Sequence, residues 1–507
     1  MSGSGTLGFK FFPSQFWRPS GTNIEFDASQ ANTAGQNQRA LIIGQITASG
    51  TAPVNVPVQG YNQSQVNALC GVNSMLALMY AAYRAQDPFG EVWLGPVADA
   101  GGGTAATGTI TITGTATAAG TLALYLMGVS VPVVVNSGDS PTVVAASIVA
   151  AITASAGIAA TATASVGVVT LMANHKGLAL NDIDLRLNYV GVQNSEQTPP
   201  GITVAFSNPV SGSTAGTLSG GATNPTLTTL LANLGVQLFD FIALPYTDSA
   251  SLNALQTFLG DQAGRWAAET MLYGHVFSAY RGTVSARGTF GTSRNDQHAS
   301  ILGFFDSPTP AWLEAADWCG AHAIRLKVNP AQGLATQALN LLPPPLPNQD
   351  TPGERNTLLF DGVSTFTVDA AGQCRIDRTI TTYQLNPSGQ PDNSYLNTNI
   401  MFQAMFAARY MAAQITSQYI VPGKILVANG TTIPPGSAAT TPNAMLGTVI
   451  AVYAYLCSEF ICQNLQAFAA NARASSGTKG QVLMYCPFDF SDQVINVGIL
   501  VQFQQST

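Results

Sequence analysis

Along residues 39–100 apolar positions come first as an unbroken block, then at helical spacing, then as a second block. RALIIGQI (39–46) is a short apolar run bounded by Asn/Gln and Gly-containing segments, the pattern of a strand buried on both faces. Val66, Leu69, Leu76, Met79 and Tyr80 then recur at helical spacing and predict a helix over 65–86. EVWLGPV (91–97) predicts a second strand. The same alternation resumes after residue 222. TLTTLLANL, SLNALQTFLGDQ and PAWLEAADWCGAHA predict helices, while VQLFDFIAL, HVFSAY and SILGF predict strands. Such alternation predicts a helix-flanked, largely parallel sheet.

Between these halves the period drops to two. TITITGTA, TLALYLMGV, VPVVV, VVTLM, IDLRLNY and ITVAF are short alternating segments separated by Gly, Ser and Asn, and they predict strands. Ile183, Leu185, Leu187 and Tyr189 alternate with Asp182, Asp184, Arg186 and Asn188, which predicts one buried and one wet face. Val144, Ile148 and Ile152 mark one helix, over about 141–155. Gly101-Gly102-Gly103 opens this stretch and SGSTAGTLSGGATNP closes it, so it reads as a module inserted into a host domain.

Beyond the second half, LLPPPLPNQDTPGERN carries too many prolines for a core element and predicts a loop. A third region follows, with a hairpin-like pair (VSTFTVD, CRIDRTITTYQ) and helices over about 399–419 and 443–474. Its last segment, VINVGILVQFQ, predicts a strand with Ile495, Val497, Ile499, Val501 and Phe503 on one face. Near the start, Leu7, Phe9 and Phe11 alternate in the same way among Pro13, Pro19, Phe12, Phe16 and Trp17. The expected fold class is therefore mixed α/β and multidomain, a helix-flanked sheet core with an inserted β-rich domain and extended N- and C-terminal arms. Its expected parts are an N-terminal arm (1–25), a discontinuous α/β domain (26–100 and 223–345), the inserted β-rich outer domain (101–222), a C-terminal α/β domain (346–490) and a C-terminal arm strand (491–507).

Charge changes this picture. Only 9% of the 507 residues are charged, against about 25% in ordinary soluble domains, while 46% are hydrophobic. That combination excludes a disordered chain, and a net charge of −7 argues against direct nucleic-acid binding. Membrane insertion is not expected: the uncharged stretches alternate, and the most apolar run, 444–457, falls short of the about 20 residues a spanning helix needs. The first residues lack the apolar segment and cleavage site of a signal peptide, so we expect a protein made and assembled in a cytoplasm. The six cysteines (Cys70, Cys319, Cys374, Cys457, Cys462 and Cys486) are scattered, which favours free packed thiols over a disulfide framework or a metal site.

A search for chemistry finds no phosphate-binding loop, HExxH, GxSxG or CxxC pattern. The densest polar cluster, Ser293 to His298, offers His298 as a base with Asp296 to orient it. No activated nucleophile accompanies them, and a loop held by side-chain hydrogen bonds to backbone is the simpler reading. Asp182 and Asp184 are cation-binding in type, but on a strand they more often form a solvated face. No catalytic, cofactor-binding or metal residues are assigned.

The residues do carry a resemblance. QRALIIGQ (38–45), NDIDLRLNY (181–189), GTFGTSRNDQH (288–298), FDSPTPAW (305–312), ERNTLLFDGVSTFTVD (354–369), IDRTITTYQLNPSGQPDNSYL (376–396) and ILVQFQ (499–504) occur in an order that resembles the tail sheath proteins of contractile bacteriophages, in their Mu-like branch. The resemblance covers nearly the whole chain. It implies a structural subunit that stacks as hexameric rings in a helical sheath around a tail tube, with baseplate and tail terminator proteins as further partners. It also implies a place in the virion tail, no cofactor, and terminal arms that add strands to neighbouring subunits. Leu7, Phe9, Phe11, Ile495, Val497, Ile499, Val501 and Phe503 stand where such arms would need them. The alternatives are another virion component, such as a tail tube or baseplate subunit, and lastly a hydrolase using His298.

Overall fold

A computed structural model describes residues 38–210 and 214–503; Leu7, Phe9, Phe11 and the rest of the expected N-terminal arm lie outside the described residues. The core is a six-stranded sheet in the order Ala299–Phe304, His275–Arg281, Phe241–Ala243, Ala40–Gln45, Val92–Val97, Val58–Gly60. The first five strands are parallel and the short Val58–Gly60 edge is antiparallel. Ala40 to Ile43 have no exposed surface, which explains their unbroken apolar run: strands covered on both faces need no polar alternation.

Helices cover both faces. Met75–Gln86 and Ala311–Leu326 lie on one. There a Cβ on Gly44 would sit 3.0 Å from Leu76 Cα, and the Phe277 and His322 rings lie 4.5 Å apart. Thr228–Asn233 and Ser249–Leu259 cover the other face, where Leu230 reaches Gly95 and Leu259 reaches Gly274.

Two expected helices are broken. The one expected over 65–86 is split into Gln63–Cys70 and Met75–Gln86. Gly71, at φ 87°, takes the chain out of the first helix, and Ser74 accepts from Ala77 N to start the second. The one expected over 443–474 becomes Pro442–Ser458 and Leu465–Asn471, with Phe460 and Asn464 both at positive φ between them. The glycine-containing segment before the Ser293–His298 cluster forms the helix Val284–Thr292, capped by the Thr283 side chain.

Residues 105–217 hold two four-stranded antiparallel sheets and the helix Pro141–Ala154. At their base Thr104 and Ala222 exchange backbone hydrogen bonds of 3.1 and 3.2 Å, so the two chain crossings run side by side. The alternating segment 182–189 departs from expectation. All four residues of the Asp184–Leu187 strand are buried, and the polar side chains face the host rather than water. Arg186 pairs with Asp184 (2.8 Å) and Asp306 (2.7 Å), and Arg281 pairs with Asp182 and, at 3.6 Å, with Asp184. Period-two alternation reports two different faces; it does not say that the polar one is wet.

The C-terminal region adds Thr398–Ile415, whose Phe402 stacks on Phe241 of the central sheet with ring centroids 4.8 Å apart. The far end of that helix, Pro442–Ser458 and Leu465–Asn471 enclose a second, smaller core around Val449, Tyr453, Leu456 and Phe468. Among the described residues no helix is long and apolar enough to cross a membrane.

Candidate functional site

The second core holds the root of the C-terminal segment. Tyr453 and Phe468 stack at 3.7 Å, and Phe488 meets both rings edge-on. The Tyr453 hydroxyl donates to Gln463 O (2.7 Å) and accepts from Asp489 N (3.1 Å). The buried Gln403 Nε2 donates to Ser491 O and to Ile461 O. Up to Ser491, then, the chain is anchored by stacked rings and buried hydrogen bonds.

Beyond that anchor the character changes. Residues 494–503 belong to no sheet of the described chain and every one of them is exposed. Ile495, Val497, Ile499, Val501 and Phe503 are from 50% to 95% exposed, and Val494 and Leu500, on the opposite parity, are 85% and 86% exposed. An apolar run of this length left open to water is the feature of a surface that another chain covers. Close to its root, Arg473–Ser476 and Val482–Tyr485 form an isolated antiparallel ribbon, Arg473 opposite Tyr485. Both outer edges of that ribbon are free of strand partners among the described residues, and Leu483 and Tyr485 are exposed on it.

The polar cluster near His298 is a folding device. Asp296 Oδ1 accepts from His298 N (2.8 Å), the local side-chain-to-backbone bond expected of such a segment. The ring partner of His298 is instead Asp261, at 2.9 Å from Nε2, and Trp266 stacks on the imidazole. Asp261 lies 37 residues away, so no local pattern could have named it. Asp182 and Asp184 are held by arginines. Asp182 also accepts from Ala311 N at the start of the Ala311–Leu326 helix, where a carboxylate meets the positive end of the helix dipole. Among the described residues no group of three or more His, Cys, Asp or Glu is placed to hold a metal ion, and all six cysteines are free thiols.

Comparison with known proteins bears on what such a chain is. Residues 220–382 match the family model described as the phage tail sheath protein central domain. The Mu-like prophage FluMu tail sheath protein of Haemophilus influenzae is 32% identical over 453 residues, 89% of each chain. Among solved structures, a sheath tail protein from Desulfitobacterium hafniense is 12% identical, with a TM-score of 0.45 over 93% of this chain and 100% of that one. One from Listeria innocua is 12% identical, with a TM-score of 0.44 over 91% and 97%. With about a third of its residues identical along nearly the full length of a tail sheath protein, the chain belongs to the phage tail sheath family, whose members are structural subunits of contractile tails.

Proposed function

We propose that this protein polymerises, as hexameric rings in a helical lattice, into the sheath of a contractile virion tail, and that the sheath shortens to drive a tail tube through a host envelope. It acts mechanically, with no catalytic step and no cofactor, the work coming from two lattice packings of different free energy. Its partners are other copies of itself, the tail tube, and baseplate and terminator proteins. It contacts no nucleic acid directly, and it assembles in the host cytoplasm.

The observation that carries this reading is the exposed apolar segment 494–503, anchored at Ser491 and free beyond it. Paired with the ribbon edge of a neighbouring subunit, its backbone would gain a ladder of hydrogen bonds, and Ile495, Val497, Ile499, Val501 and Phe503 would leave water. Leu7, Phe9 and Phe11 would serve the opposite arm. Each hydrogen bond nets only about 0.5–1.5 kcal/mol, so a joint of this kind gains its strength from repetition across the lattice. The low content of charge fits as well, because surface covered in a polymer has no need of charge to stay soluble.

Negative-stain electron microscopy of the purified full-length protein tests the function. Striated cylinders are expected. Plain narrow tubes would favour a tube subunit, and a monomer with hydrolytic activity lost in His298→Ala would favour the enzyme.

A further inference from the structure

Three turns of the described chain expose large apolar side chains at one place. Phe89, just past the helix Met75–Gln86, is 96% exposed, Val328, just past Ala311–Leu326, is 81% exposed, and Phe460, just past Pro442–Ser458, is 75% exposed. Lys327 Nζ pairs with Asp87 at 2.7 Å, and Asn329 Nδ2 donates to Glu459 O at 3.2 Å, so the three turns meet. The site is stiff. Asp87 Oδ1 accepts from Gly90 N (3.0 Å) and Arg84 Nη1 donates to Gly90 O (2.6 Å), which pins the turn that carries Phe89. Phe460 sits at φ 59°, a left-handed conformation that costs an aromatic residue energy and, in this subunit alone, gains it no burial.

On the opposite face of the central sheet a groove of about 700 Å³ runs between the helices Thr228–Asn233 and Ser249–Leu259. Leu231, Ala254, Phe258 and Leu272 line it. The charged residue in its wall is Arg265, whose guanidinium is spent on the carbonyl oxygens of Tyr273, Gly235 and Gln237. The groove therefore offers apolar surface and no free charge to whatever enters it.

We infer that the knob formed by Phe89, Val328 and Phe460 on one copy seats in this groove on the next copy, as the rigid contact between neighbouring subunits. The inference rests on the polymeric reading above. A ring or helical lattice needs a heterologous contact, in which one patch of a chain fits a different patch of its neighbour. Here the two patches lie on opposite sides of one sheet, as head-to-tail growth requires. The groove has no free charge, and Asp87 and Lys327 beside the knob neutralise each other, so docking strands no charge away from water. The terminal segment does not fill this role. Beyond Ser491 it is exposed and belongs to no sheet of the described chain, so it ties copies together without setting the angle between them. A knob on pinned turns loses little freedom on docking and can set that angle.

The test uses full-length protein. Copies carrying Val328→Cys are mixed with copies carrying Thr257→Cys, on the groove wall, allowed to polymerise and then oxidised with glutathione disulfide. Covalent dimers are expected from the mixture but not from either variant alone, nor from the wild type, whose own six free cysteines serve as the control. Phe89→Asp and Val328→Asp should raise the protein concentration needed for cylinders at least tenfold. Phe460→Gly should do the same while its Tm equals or exceeds that of the wild type, because glycine holds φ 59° without strain. Striated cylinders formed without the mixed dimer overturn the contact and leave the polymeric reading standing, and unchanged polymerisation of both aspartate variants does likewise. So does crosslinking of Thr257→Cys to Ile499→Cys in place of Val328→Cys, since the terminal segment would then be the occupant. A wild type that stays monomeric overturns both readings together.

Discussion

Arg186 shows how much of the architecture rests on single buried charges. Its guanidinium meets Asp184 with two bonds, of 2.8 and 3.0 Å, and reaches across the seam to Asp306. Burial raises the Asp184 carboxyl pKa against the pull of Arg186 and Arg281, so removing one arginine leaves carboxylates facing each other in a dry place. Arg186→Met is expected to cost about 3–5 kcal/mol in urea denaturation, far more than an exposed ion pair would; a loss below about 1 kcal/mol would contradict the account. A second residue-scale prediction concerns pH. Burial depresses the His322 imidazole to about 3, and His275 well below the ordinary histidine range. The unfolded chain binds those protons from about pH 6.5 downward. Stability is therefore fully present above about 6.5 and falls as pH drops toward 3, by up to about 1.4 kcal/mol per unit per group. His322→Asn keeps a donor for Trp318 O, which the ring now meets at 2.7 Å, and removes the titration. The acid limb of its stability curve should be shallower by about one proton; an unchanged limb would contradict the assignment.

At the scale of elements, the Val284–Thr292 helix sets propensity against packing. Gly288 and Gly291 lower its helical preference, and by composition alone it reads as a loop. A Cβ on Gly291, however, would lie 2.1 Å from Asp361 O and 2.7 Å from Val363 Cγ2. The glycines allow the helix to lie against the chain before the Thr365–Val368 strand. Gly291→Ala should thus destabilise, by about 1–3 kcal/mol, although propensity alone predicts a gain of about 1 kcal/mol. Gly447, in a helix with open space around its Cα, is the control: Gly447→Ala should stabilise the unassembled chain by about 0.5–1 kcal/mol in thermal melts. The same contrast explains what was legible beforehand. Ala40–Gln45, His275–Arg281, Ala299–Phe304 and Ala311–Leu326 stand close to where the apolar pattern puts them, because burial alone decides those positions. The helix breaks at Gly71 and Phe460 turn on single residues that the apolar spacing does not register, whereas the burial of Asp184 and Arg186 and the pairing of His298 with Asp261 depend on contacts distant in sequence. The alternation of Ile495 to Phe503 was visible, whereas its exposure was not: only the folded chain reveals that no strand among the described residues pairs with it.

For the whole molecule, the insert and the terminal segment make opposite demands. Residues 101–222 are tied to the host by Arg186–Asp306, by Arg281–Asp182 and by the Tyr189 hydroxyl donating to Pro343 O at 2.6 Å. Exchanging them for a short Gly/Ser linker should lower the melting temperature, since Arg281 loses both its carboxylate partners and Leu342 its contact with the Gly128 turn. Cylinders should still be seen by electron microscopy if the insert is an outer domain, and their loss from an otherwise folded remainder would contradict that role. The terminal segment should behave in reverse, contributing nothing to the fold and everything to the lattice. The decisive measurement is sedimentation velocity on a chain lacking 494–507, its circular dichroism matching the full-length protein. A folded monomer that never enters the fast-sedimenting fraction is the predicted result; cylinders sedimenting like those of the full-length chain would contradict the account.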